Sequence, residues 1–376
     1  MPSGLIAESY REDLALYRGA WARSGVAVTA VTCLLAPFFL SKLWQSVGVF
    51  ALIAAMSAIG LHVMTGLAGQ VSLGHSAFVG IGAYTASWCG GDKHWPMLIW
   101  LPAAGLVAAL VAGLVAPFAA RLRGLYLAVV TLALVIVTGY VWTSWTSLSG
   151  GFNGRPTLEV GVFGHDLFKP MAIGPVTLNS AQQFWFLCLI VLGLLTTGVR
   201  NLQRTRLGRA FLAVRDRDVA AAVAGVEVVR TKVLAFVAAG FCAGLAGAML
   251  AAYQSYITPG QFSLNLSIEY VAMVVIGGLG SLPGAIAGAV FVTALPGIVR
   301  NLATFLPFIS TEPGASGISA DNLALLLYGV AIIAVLIAEP LGLWGLWGRS
   351  SPACASRTNP ASISRANSAC GWRIAG

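Results

Sequence analysis

Residues 200–232 read RNLQRTRLGRAFLAVRDRDVAAAVAGVEVVRTK and hold eight of the 22 lysines and arginines of the chain. Apolar runs of membrane-crossing length, 183–199 and 231–252, bracket this basic island. Elsewhere charge is scarce. Charged residues make up 9% of the chain, against roughly a quarter in an ordinary soluble domain. Apolar residues reach 58% and the mean hydropathy is +0.84. Such a chain takes lipid as its solvent, and the island reads as a docking surface on the cytoplasmic side of a membrane protein.

Working outward from the island, apolar runs of about 20 residues are long enough to cross a hydrocarbon core of roughly 30 Å as helices. About ten are legible, at 24–42, 45–66, 72–89, 97–119, 124–144, 183–199, 231–252, 266–279, 283–300 and 322–343. The fold class expected is therefore all-α, a polytopic integral membrane protein of about ten transmembrane or re-entrant helices. The segment 71–89 and the pair flanking Gly280 to Pro283 are short or Gly-rich, so re-entrant or broken helices stand there beside full crossings. Residues 1–23 carry too many charges and too short an apolar run for a signal peptide, and form an N-terminal extension before a transmembrane domain at 24–343. Residues 146–183 make an external loop, 200–232 a cytoplasmic one. Residues 344–376, rich in Ser, Ala, Arg and Asn without periodicity, are expected to form a disordered cytoplasmic tail.

Basic loops resist translocation. With ten crossings and both termini inside, 17 of the 22 cations fall on the cytoplasmic side. Lys42, Lys93, Arg155, Lys169 and Arg300 remain outside. The net charge of +9 thus follows from orientation and from attraction to anionic membrane lipid, and no nucleic-acid partner is implied. Cys33, Cys188 and Cys242 lie in apolar spans, Cys89 near an outer helix end, Cys354 and Cys370 in the tail. No CxxC or Cys/His spacing indicates a metal site.

Two Gly-rich interruptions, Gly66 to Gly74 and Gly277 to Gly288, fall in the two halves of the chain, a pattern that points toward a transport pathway. In the first, Gly66, Gly69 and Gly74 release the backbone from helical geometry, while Gln70, Ser72, His75 and Ser76 supply hydrogen-bonding groups where lipid supplies none. The plainer alternative is that these small residues are helix-packing notches. Glu269, near the outer end of its span, is a carboxylate in an apolar run and a candidate for the same pathway, or else a capping or paired group. Within the island, Asp218 reads as an N-cap, Val219 to Ala224 as a short Ala-rich helix, and Gly225 as its left-handed stop. Methyl-sized side chains let such a helix lie close to another protein, and Arg215, Asp216, Arg217 and Asp218 provide a polar rim. The competing reading is an amphipathic helix held on the lipid surface.

Taken in order, three stretches resemble the LivM-type permeases of branched-chain amino-acid ABC importers. They are Gly66 to Phe78, then Arg206 to Ala210 with Val214 to Val226, Thr231 to Phe236 and Ala243 to Ala248, then Ser267 to Glu269 with Met273 to Ser281. The resemblance spans about residues 45 to 340. It implies that Arg215, Asp216, Asp218, Ala220, Ala221 and Gly225 belong to a coupling helix that docks on cytoplasmic ABC ATPases. It also implies a second permease subunit, a periplasmic solute-binding protein and a place in the bacterial inner membrane. His62 and Leu67 stand where such permeases usually show Asn and Tyr, and Ala222 where the coupling helix commonly bears Glu.

The chain supplies no engine of its own. A Walker A loop needs Gly-Lys, whereas the four lysines follow Ser41, Asp92, Phe168 and Thr231. No HExxH, GxSxG or paired intramembrane carboxylates appear, so neither catalysis nor a cofactor is expected. A stand-alone channel or secondary carrier for small polar solutes, including urea or amides, stays open as a rival; it would use Glu269 and His75 for ion or proton coupling.

Overall fold

The computed structural model describes residues 20–122, 124–157, 161–162, 165–173, 176–303, 309–310, 318–319, 326, 329–330 and 333. The tail at 344–376, nearly all of the 1–23 extension and most of the span at 322–343 lie outside the described residues.

Helices dominate. They are α1 (Ala20–Phe39), α2 (Lys42–Leu61), α3 (His75–Ala86), α4 (Met97–Ala119), α5 (Leu125–Ser144), α6 (Thr146–Ser149), α7 (Ser180–Arg204), α8 (Arg206–Asp216), α9 (Asp218–Val223), α10 (Val228–Gln254), α11 (Leu264–Gly277) and α12 (Leu282–Ala303). Among the described residues, five helical stretches are long and apolar enough to span a bilayer: Lys42–Leu67, Met97–Ala119, Tyr126–Ser144, Ser180–Arg204 and Val228–Gln254. The expected span 72–89 is different. Its helix has only 12 residues, about 18 Å, and ends in a π-helical turn, Ser87–Asp92, while residues 68–74 are irregular. It is a short helix sunk among its neighbours.

Burial divides the long helices into two layers. The apolar stretch of Lys42–Leu67 is 83% buried, that of Tyr126–Ser144 only 28%. α10 owes its central place to small residues. A Cβ added at Gly244 would lie 2.6 Å from that of Ala108 and 2.7 Å from the carbonyl oxygen of Ala104, and one at Gly82 would strike the Gly244 backbone. Backbones that approach this closely gain dispersion contacts that lipid cannot give.

Polar ties join α1, α2 and α7. Pro37 has no N–H, which leaves the carbonyl of Cys33 without its helical partner; Trp185 Nε1–H donates to it at 3.0 Å. The Pro37 carbonyl in turn accepts from Gln45 Nε2 at 2.8 Å and Gln182 Nε2 at 3.0 Å.

The 146–183 loop is partly structured. Strand β1 (Arg155–Pro156) pairs antiparallel with β6 (Tyr256–Ile257), which follows α10, and β2 (Gly161–Val162) with β3 (His165–Asp166) and β4 (Met171–Ile173) with β5 (Val176–Leu178) form two small hairpins. Arg155 pairs with Asp92 and donates to the Leu148 carbonyl at 2.7 Å, and Thr157 Oγ1 donates to the Ala251 carbonyl at 2.7 Å. The loop is thus fastened over the far ends of α3, α5 and α10. The basic island sits at the opposite end of α10, about 40 Å away along its 27 residues.

Candidate functional site: the broken helices and the basic arm

At His62 the α2 helix widens into a π-helical turn, His62–Leu67. Its closing bonds reach further than α-helical ones, with the Gln70 N–H donating to the Met64 carbonyl at 3.0 Å and Thr65 Oγ1 to the Gln70 carbonyl at 3.0 Å. Gly69 turns the chain with φ +69°, a conformation costly for any residue with a Cβ. Gln70 is left buried, and neither its Oε1 nor its Nε2 has a hydrogen-bond partner among the described residues. His62 is also fully buried, with the Leu279 backbone beside its ring. His62 is not among the expected site residues; its one signal in the sequence is an imidazole where the family resemblance implies Asn.

The two Gly-rich interruptions meet. A Cβ on Gly66 would press on both the Leu279 carbonyl and the His62 ring. Leu279 belongs to the break between α11 and α12, where Gly278 has φ +111°.

Among the remaining expected pathway residues Ser72 braces its own loop, and His75 and Ser76 tie helices together. The Leu73 N–H donates to Thr131 Oγ1 on α5 at 3.0 Å, and the Gly74 N–H to Ser72 Oγ at 3.1 Å. His75 Nε2 lies 2.9 Å from the Ser57 carbonyl; a carbonyl only accepts, so this nitrogen carries the proton. The ring also stands edge-on to Tyr270 at 5.6 Å. The Ser76 N–H donates to Ser267 Oγ at 3.0 Å, and that hydroxyl donates back to Ser76 Oγ at 2.7 Å. Ser72, His75 and Ser76 are fully buried. Glu269 lies two residues beyond Ser267 on α11, half-buried, outside this bonded set.

The basic arm comprises α8 and α9. α8 starts at Thr205, whose hydroxyl accepts from the Gly208 N–H, and buries Gly208, Phe211 and Val214. Near its end Arg215 reaches across to the broken helix. Its Nη1 donates to the Gly66 carbonyl at 2.6 Å, and a Cβ at Gly69 would lie 3.2 Å from Arg215 Cα. Asp216 closes α8 on the exposed side.

Arg217, not Asp218, occupies the N-cap position of α9. Asp218 is the first helical residue because its carboxylate is drawn to Lys232 Nζ on α10, 2.8 Å away. At the other end the expected stop holds. The Val226 N–H donates to the Ala221 carbonyl at 2.9 Å and the Gly225 N–H to that of Ala222 at 3.0 Å, with Gly225 at φ +86°, the hydrogen-bond pair of a Schellman cap. Ala221 is turned inward, while Val219, Ala220, Ala222 and Val223 face outward, Val223 86% exposed. No group of His, Cys, Asp or Glu among the described residues is arranged to hold a metal ion.

Residues 45–336 match the family model described as branched-chain amino acid transport system / permease component. The chain is 29% identical over 326 residues to the high-affinity branched-chain amino acid transport system permease protein LivM of Salmonella typhimurium, covering 82% of this chain and 71% of the relative. It is 25% identical to LivH of Escherichia coli, covering 82% of this chain and 96% of that one. The L-arabinose transport system permease protein AraH of Escherichia coli is 38% identical over a shorter stretch, 32% of this chain and 35% of AraH. No solved structure matches.

Proposed function

The chain belongs to the branched-chain amino acid transport system / permease component family, and from that membership we propose that it forms half of the translocation pore of an ABC importer for branched-chain or related amino acids. It is a transport permease subunit and a multi-pass membrane protein. A second permease subunit completes the pore, separate cytoplasmic ATPases supply the energy, and a periplasmic solute-binding protein delivers the solute. The chain crosses the bacterial inner membrane about ten times with both termini in the cytoplasm. In this reading α8 and α9 face the cytosol, and the loop fastened by Arg155 and Thr157 faces the periplasm.

One observation carries the mechanism, the bond from Arg215 to the Gly66 carbonyl. α9 offers a small-residue face with Val219 and Val223 projecting, suited to a cleft on an ATPase. When the ATPase moves α9, Arg215 moves with it and displaces the carbonyl that ends the π turn. Asp218 and Lys232 transmit the same displacement to α10. Gln70, whose amide has no partner in this conformation, then turns toward the solute, while Gly66, Gly69 and Gly74 allow the backbone to bend. Ser72, His75, Ser76 and Glu269 border the path, His75 and Ser76 also holding their helices in register.

A test is Val223→Asp, which places a charge on the projecting face without touching any internal contact. ATPase co-purification and solute uptake in proteoliposomes should both be lost while membrane insertion is retained. Undiminished uptake would overturn the docking assignment.

A further inference from the structure

At the end of the bundle opposite α9, a cavity of about 380 Å³ opens between α3, α4 and α5, lined chiefly by Tyr84, Trp88, Trp95, Ala103, Val107 and Trp142. α4 and α5 touch little along their lengths, and Val107 is 41% exposed, so the cavity opens sideways toward lipid. Polar atoms scarcely reach its wall: the Thr85 hydroxyl already donates to the Ile81 carbonyl at 2.7 Å, and the Tyr84 hydroxyl and the Trp142 indole N–H are buried away from the opening, without a partner among the described residues. Water needs two to four polar partners to stay in a cavity, so the occupant this lining suits is hydrocarbon.

Dimensions and charge narrow the occupant further. Val107 lies ten residues along α4 from Met97, about 15 Å, which is one leaflet of a hydrocarbon core roughly 30 Å thick. Trp88 and Trp95 stand at the mouth, the depth at which indole rings anchor to headgroups. Lys93 Nζ lies 5.6 Å from the Trp88 ring centroid. The neighbouring Arg155 is already paired with Asp92, so Lys93 is the cation offered to a ligand at this rim.

We propose that the groove holds one acyl chain of an anionic phospholipid from the leaflet opposite α9, with the lipid phosphate at Lys93. The chain keeps α5 apart from α4. Since Thr131 of α5 accepts the Leu73 N–H, the lipid also supports the first broken segment from behind.

The test uses the full chain, purified with its co-eluting partners and placed in vesicles of phosphatidylglycerol or phosphatidylcholine carrying brominated acyl chains, which quench nearby indoles. Brominated phosphatidylglycerol should remove a component of tryptophan emission that is missing in Trp142→Phe and protected in Val107→Phe, which fills the groove. One lysine near a membrane surface favours anionic lipid by about fivefold. That preference over phosphatidylcholine should fall to about one in Lys93→Gln, a surface change that leaves the bundle intact. Equal quenching by the two lipids in the unmodified protein, or no Trp142 component, would overturn the proposal. So would a disulfide from Ala103→Cys to a thiol on the second permease, since protein would then fill the groove.

Discussion

Arg215 and Gln70 show opposite ways for a polar side chain to live beside a broken helix. The guanidinium lends a donor to a carbonyl that the π turn leaves over, and its stem lies on Gly69. A hydrogen bond from a charged group is worth about 1.5–3 kcal/mol. Arg215→Met keeps the stem and removes the donor, so uptake should fall about tenfold or more while ATPase co-purification persists, measured on the same proteoliposomes. Retained uptake would sever the arm from the gate. Gln70 has no bond to lose in the described conformation, so Gln70→Leu should leave assembly and ATPase association unchanged and still weaken transport. Equal uptake rates for every solute tried would count against its place on the path.

At the scale of elements, α9 is six residues long and cannot sustain itself by helical bonding, since isolated helices this short are marginal. Three ties hold it: the Gly225 stop, the Asp218–Lys232 pair and the junction with Arg215. Gly225→Pro forces φ to about −65° where the chain needs +86°, and removes the N–H bonded to Ala222. Membrane insertion should be normal and uptake abolished; normal uptake would reject α9 as the coupling element. The ion pair can be isolated by a double-mutant cycle on thermal stability with Asp218→Asn and Lys232→Met. Contacting residues interact by about 0.5–3 kcal/mol, so the double variant should be less destabilised than the two single effects combined.

For the molecule as a whole, α10 is the mast on which both functional ends are mounted, with the arm at Val228 and the Arg155 loop at Gln254. The proposed orientation rests on charge placement and is open to direct measurement. In a background stripped of native cysteines, an impermeant thiol reagent applied to intact cells with a permeabilised outer membrane should label Phe152→Cys and spare Val223→Cys. The reverse pattern would place α9 outside and remove the ATPase from the scheme.

Much of this architecture was legible in the chain. Membrane class, the main long helices, both Gly-rich breaks and the Gly225 stop are local matters, decided by apolar run length and by residues whose backbone preferences need no distant partner. The α3 region stayed open between a full crossing and a broken helix, because an apolar run looks the same whether it crosses lipid or is buried in protein; only the Leu73 to Thr131 bond shows where the helix is delayed to His75. Asp218 misled. Its capping propensity is a local tendency, and a lysine 14 residues onward outbid it.

Hydropathy, charge placement and glycine positions by themselves determined that this is a helical membrane protein with two broken segments and a basic arm, because those properties act within a turn or a span. Tertiary structure alone decided that the arm touches the break, that the two breaks touch each other, and that His75 and Ser76 are spent on helix contacts. Arg215 and Gly66 are 149 residues apart, and a hydrogen bond across that distance depends on how α2, α8 and α10 pack. No local propensity encodes that.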